Sequence, residues 1–164
     1  MKLKTFCTHA TLLGIASSAL FTAAASDNHH YTPGQGGHIM VTPDQLDWGP
    51  VASMEGDAKI TIIEGNLAEE APFTIRLRLP ENYIVHPHVH PAYERVTVLS
   101  GTFHFAHGDT FDRDATMALT PGSFAIMAPG EPMFAFTEEE TIIQLHGEGP
   151  WGIDYIHEEH DPRN

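Results

Sequence analysis

His86, His88, His90 and Glu94 stand within one short stretch of the chain, His86-Pro-His-Val-His90-Pro-Ala-Tyr-Glu94. On an extended strand, side chains two residues apart share a face, so His86, His88 and His90 are expected to project the same way. Two neutral imidazoles at that spacing can converge on one ion. Pro91-Ala92-Tyr93 can then turn the chain so that the Glu94 carboxylate, carried by the next strand, reaches the same point. Two His and one carboxylate with positions left open suit Zn(II), Fe(II), Mn(II) or Ni(II). The competing reading is a polar cluster without metal. Burying three such groups unpaired costs several kcal/mol, so something must bind them.

The spacing His88-x-His90, three residues, Glu94, six residues, Gly101 resembles the first motif of the cupin superfamily. Thr120-Pro121-Gly122-Ser123-Phe124, followed by Pro129-Gly130-Glu131-Pro132-Met133-Phe134-Ala135-Phe136, is similar to the second motif. The resemblance covers roughly residues 70 to 147. It implies an all-β, jelly-roll (double-stranded β-helix) barrel with a divalent metal inside, held by His88, His90 and Glu94. Within the superfamily, the chain is most similar to single-domain cupins of the kind that form the metal-binding barrel of zinc-dependent anti-sigma factors. Two positions depart from the pattern. Asn82 stands where a glycine is usual, and Met133 stands where the second motif normally supplies a third histidine ligand.

A fourth ligand therefore has several candidates. His146, at the end of the apolar run TIIQLH, could reach in from a neighbouring strand. His86 lies ~6.6 Å along a strand from His88 and ~13 Å from His90, so one ion would not use all three, and His86 better suits the mouth of the pocket. Met133 could bind through its thioether, which favours soft Cu(I), or simply fill the core. Water is the remaining option. Gln144 and His146 could instead orient ligands from behind, and the adjoining Gly147 to Trp151 could form a pocket wall or a turn pinned by the indole.

Short strands must position these groups. Candidates are Lys59 to Glu64, Phe73 to Leu79, Ile84 to His90, Glu94 to Leu99, Thr102 to Ala106, Met117 to Leu119, Phe124 to Met127, Met133 to Phe136, Thr141 to His146 and Ile153 to Ile156. Phe73, Ile75, Leu77 and Leu79 alternate with Thr74, Arg76 and Arg78, the pattern of a half-buried strand. Between the runs stand Gly101, Gly108-Asp109, Pro121-Gly122, Pro129-Gly130 and Gly147 to Pro150, residues that make turns for backbone reasons. Thr42-Pro43-Asp44-Gln45 reads as a capped helical turn. The acidic segment Asp109 to Asp114 is expected as a solvated loop, and Phe103, Phe105, Phe124, Phe134 and Phe136 as core.

Residues 1–25 read as a secretory leader: a cationic start, an apolar stretch too short to anchor in a bilayer, and Ala-x-Ala before Ser26. A His- and Gly-rich flexible arm over 26–40 would precede a single barrel domain over 41–164. The expected destination is the periplasm, or else the exterior. Cys7, the only cysteine, leaves with the leader, so the mature chain has neither disulfide nor thiolate site. Without Lys2 and Lys4, six Lys and Arg face 22 Asp and Glu. Such a surface repels phosphate backbones and anionic bilayers, which sets aside nucleic acid and membrane partners. What remains is a small-molecule ligand or substrate, and a homodimer. The function expected is a metal-dependent enzyme, oxygenase- or isomerase-type, acting on a small polar molecule; the alternative is a non-catalytic barrel that binds or senses a metal or small ligand.

Overall fold

A computed structural model describes residues 39–164; the expected leader and nearly all of the expected arm, including His29, His30 and His38, lie outside the described residues. The described chain is built from strands β1 (Gly49–Pro50), β2 (Lys59–Glu64), β3 (Pro72–Leu79), β4 (Ile84–Val89), β5 (Glu94–Ser100), β6 (Phe103–His107), β7 (Met117–Leu119), β8 (Phe124–Met127), β9 (Met133–Phe136), β10 (Thr141–Glu148) and β11 (Asp154–Tyr155). Helical content is limited to 3-10 turns at Pro43–Gln45, Arg113–Ala115 and Glu158–His160. The first of these is the expected capped turn, with the Gln45 side chain accepting the Thr42 N–H at 2.8 Å.

All pairings are antiparallel, and they nest: β6 with β7, β5 with β8, β4 with β9 and β3 with β10. That is a long hairpin folded over on itself, the expected jelly roll. It yields a six-stranded sheet in the order β1-β2-β3-β10-β5-β8 and a five-stranded sheet in the order β11-β4-β9-β6-β7. Because side chains alternate along a strand, one face of each sheet is apolar. Phe73, Ile75, Val96, Val98 and Leu145 from the first sheet meet Val85, Phe105, Met133 and Ala135 from the second. Each large side chain removed from water there contributes about 1.5–3 kcal/mol.

Gly101, the last residue of the first motif, turns β5 into β6 with φ +72°, and a Cβ there would stand 2.5 Å from Thr141 Oγ1. Asn82 takes the left-handed region too, at φ 57°. Asparagine tolerates that conformation better than most side chains, which explains how it replaces the usual glycine.

One expectation about packing fails. Phe124 lies on the outer side of the edge strand β8 and is 69% exposed. Phe134 and Phe136 are buried as expected, on the outer face of the five-stranded sheet, and the acidic loop is exposed as expected apart from Phe111, which meets both rings, while Arg113 lies 4.1 Å over Phe136. The loop is a cover for that sheet.

Candidate metal centre

The strand carrying the histidines is irregular. Ile84 and Val85 pair with Phe136 and Ala135, but the next partner pair is His88 with Met133, so β4 spends an extra residue between Val85 and His88. Pro87, which has no N–H to donate, occupies that bulge. The parity shift turns both Val85 and His88 inward, and it corrects the expectation that His86 shares their face. His86 points away, its ring stacked on His160 at 3.7 Å.

His88, His90 and Glu94 are all buried. His88 Nδ1 lies 2.7 Å from the carbonyl of His86, and His90 Nδ1 lies 2.6 Å from the carbonyl of Gly152. A carbonyl oxygen only accepts, so each Nδ1 carries a proton and donates it. Neutral His88 and His90 therefore present a bare Nε2 lone pair, the tautomer that a metal-binding histidine needs. Glu94, the first residue of β5, is paired with Met127 of β8, and its Oε2 stands 3.4 Å from His90 Nε2.

The electrostatics of the two imidazoles diverge. Burial, reinforced by the neighbouring His90, pushes the pKa of His88 down to about 3. Burial also opposes a charge on His90, but the Glu94 carboxylate, with the Gly152 carbonyl and Asp154 behind it, outweighs burial and lifts the pKa above its ordinary value. His90 Nε2 is nonetheless buried without a hydrogen-bond partner. Two acceptors facing each other repel, so this gap suits a proton or a cation.

The spacing fits a cation. Two ligand atoms each about 2.1 Å from one ion stand roughly 3.0–3.4 Å apart, and two imidazoles sharing it have ring centres roughly 4.5–5 Å apart. The ring centroids of His88 and His90 are 4.8 Å apart. Among the described residues, no group of three His, Cys, Asp or Glu side chains already converges on one point; the closest approach is that of His90 and Glu94.

These groups sit in the wall of a cavity of about 200 Å³ between the sheets. Met133 faces the same cavity and is 1% exposed. Gln144 and His146 do not. Ile143 and Leu145 take the inward positions of β10, so both polar residues lie on the outer face. There Gln144 accepts a hydrogen bond from Arg76 Nε at 3.0 Å, and Arg78 stacks over Trp48 at 4.3 Å. Neither arginine lines the cavity.

The segment Trp151–Tyr155 lines the cavity through Trp151, Gly152 and Ile153, and most of its role has no local signal. The Trp151 ring stacks on His90 at 4.6 Å, and Trp151 Nε1 is a buried donor without a hydrogen-bond partner. Gly152 acts through its carbonyl. Tyr155 pairs with His88 across β11 and β4, and its hydroxyl donates to the Ser53 carbonyl at 2.8 Å. Arg163, ten residues beyond Ile153, also lines the cavity. The aromatic after the Gly147 to Pro150 turn marks the segment in the sequence; nothing there marks Arg163.

No known protein-family profile matches the chain, and no curated protein matches its sequence. Solved structures do match. A polyketide cyclase from Streptomyces resistomycificus is similar with a TM-score of 0.64 at 14% identity, over 77% of this chain and 90% of that one. An acetylacetone dioxygenase from Acinetobacter johnsonii gives 0.58 at 12% identity, over 77% and 82%. An RmlC-like cupin from Shewanella frigidimarina gives 0.54 at 15% identity, over 75% and 96%.

Proposed function

From a chain that has the cupin fold, we propose a metal-dependent enzyme that holds one divalent cation through His88, His90 and Glu94 and acts on a small molecule inside the barrel. The observation that carries this reading is His90 Nε2: tautomer fixed by Gly152, buried without a hydrogen-bond partner, and 3.4 Å from a carboxylate in the cavity between the sheets. The donor chemistry is compatible with Zn, Fe, Mn or Ni. A cation bound there would supply Lewis acidity toward a substrate oxygen.

The chain's own residues do the rest. Glu94 offsets the cation's charge, and the two Nδ1 hydrogen bonds hold the imidazoles in place. Trp151 Nε1–H is a spare donor for a substrate oxygen. The remaining wall is mostly apolar, with Ile75, Leu77, Val96, Phe105 and Leu145. That narrows the polar molecule expected from the sequence to one with an apolar body and polar atoms confined to the end that meets the histidines. Small-molecule chemistry in such a barrel also accords with the dioxygenase and the cyclase that share the fold.

The test is metal analysis of protein purified without chelator or a nickel column, followed by turnover on a panel of small diketones and hydroxylated aromatics. Near one metal per chain is expected, lost in His88→Ala together with turnover. Protein that carries no metal and takes up none would defeat the proposal. One observation favours a second reading, a metal- or ligand-binding barrel without catalysis. Apart from the three donors, Arg163 is the only ionisable side chain lining the cavity among the described residues, so no separate general acid or base is at hand. Metal-bearing protein inert across the panel would select that reading. The proposed place of action is the periplasm, and that rests on the leader of residues 1–25 alone.

A further inference from the structure

The segment that lines the cavity at Gly152 and Ile153 is gripped at two consecutive peptide carbonyls. Gly152 O accepts the Nδ1 proton of His90 at 2.6 Å, and Ile153 O accepts from Arg163 Nη2 at 2.9 Å. The guanidinium making the second bond is itself locked. Its Nε and Nη2 donate to the two carboxylate oxygens of Asp161, both at 2.7 Å, and the Arg163 N–H donates to Oδ1 at 3.0 Å. A planar fork on a bidentate carboxylate loses little freedom when it binds a further acceptor. Ile153, between the two bonds, is buried in the cavity wall. The sheet contributes little to this segment, because β11 is a two-residue edge strand.

We propose that Arg163, braced by Asp161, is a positioning residue for the metal centre: it clasps the Gly152–Ile153 segment and so fixes the tautomer and orientation of His90. The proposal deepens the reading of His90 as a ligand and rests on it. His88 is the internal control. β11 pairs with its strand at Tyr155, but its Nδ1 proton goes to the carbonyl of His86, in its own strand, and not to the clasped carbonyls. Loosening Arg163 should therefore free one imidazole and leave the other fixed.

The experiment is proton and nitrogen NMR of the histidine rings in metal-free protein, reading exchange of the Nδ1 protons with water. In Arg163→Ala, exchange at His90 is expected to rise at least tenfold while His88 stays within twofold. Arg163→Lys, which keeps a cationic donor for Ile153 O, should recover part of the protection. Zn(II) affinity should fall about tenfold in Arg163→Ala, as expected for loss of a group that orients a ligand. Unchanged exchange at His90, or an equal rise at both rings, overturns the proposal. If Arg163→Ala does not fold, Asp161→Asn keeps the arginine and removes its brace; a rise confined to His90 supports the clasp, and none refutes it. Because the ring measurement needs no metal, a chain that never binds metal would defeat the functional reading and leave this result standing.

Discussion

His88 and His90 are two residues apart in the chain, yet different regions of the molecule hold them. His88 belongs to the sheet: its Nδ1 is tied to its own strand, and burial keeps it neutral. His90 lies just past the end of β4 and belongs to a junction. The chain on one side supplies Gly130, whose N–H donates to the His90 carbonyl at 2.9 Å, while the Trp151–Tyr155 segment supplies Gly152 and Trp151, and β5 supplies Glu94. A site built this way has one donor as rigid as the fold and one only as rigid as a loop. Local stability differs in the same sense, since segments with few sheet bonds open first.

The largest effect that would break this contrast is on pH dependence. In metal-free protein, His88 has a folded pKa near 3 against 6.5 for the ordinary ring. The unfolded chain therefore binds a proton that the folded chain cannot. The associated stability is present above pH 6.5 and disappears as pH falls toward 3, a loss on the order of 5 kcal/mol at about 1.4 kcal/mol per unit. His90 has the opposite sign. Its folded pKa is raised, so its contribution is full below the unfolded value and is lost as pH rises through the folded one. Urea unfolding at a series of pH values should show the acid-side slope vanish in His88→Gln and persist in His90→Gln. Equal slopes in both variants would erase the distinction between the two regions.

Next in size is Glu94→Gln, which keeps the shape and removes the charge. Zn(II) affinity, read by competition with a chromogenic chelator, is expected to fall about 10²-fold, or about 2.7 kcal/mol. The pKa of His90 should drop, because burial then acts with less opposition. An affinity within threefold of the parent would take the carboxylate out of the donor set. Met133→His is smaller and of opposite sign. Its side chain faces the cavity beside His88, so a third imidazole there should tighten metal retention about tenfold. No change would place position 133 in the wall and away from the ion.

What could be read in the chain, and what could not, divides along the same line. Alternation gave nearly every strand, and spacing with turn chemistry brought His88, His90 and Glu94 to one cavity. Both are local signals. The bulge at Pro87 is not, because it appears only in the register of β4 against β9, and it decides that His86 leaves the cavity while His88 enters. Phe124 failed for a similar reason: a strand's apolar residue is buried only where something packs on that face, and β8 is an edge. The partner of His90, Gly152, is 62 residues away and acts through its backbone, which no side-chain pattern reveals. Arg163 is further still.

The smallest expected effect tests the register on which these assignments depend. His146 was a candidate ligand from the sequence, since a histidine ending an apolar run has the right chemistry and a neighbouring strand. β10 pairs with β3 and β5 so that His146 lies opposite Thr74 and Arg95, on the outer face, while Leu145 is 1% exposed. Side chains alternate with period two, so a slip of one residue would exchange Leu145 for His146 in the cavity. In the observed register His146→Ala removes only an exposed ring, so metal content should match the parent and stability should stay within about 0.5 kcal/mol of it. A tenfold loss of metal in that variant would mean that β10 pairs one residue out of step in solution, with His146 inside. The same slip would carry Ile143 and Leu145 out of the core, at about 1.5–3 kcal/mol for each side chain. The burial that makes the register stable is thus what keeps this histidine away from the proposed metal centre.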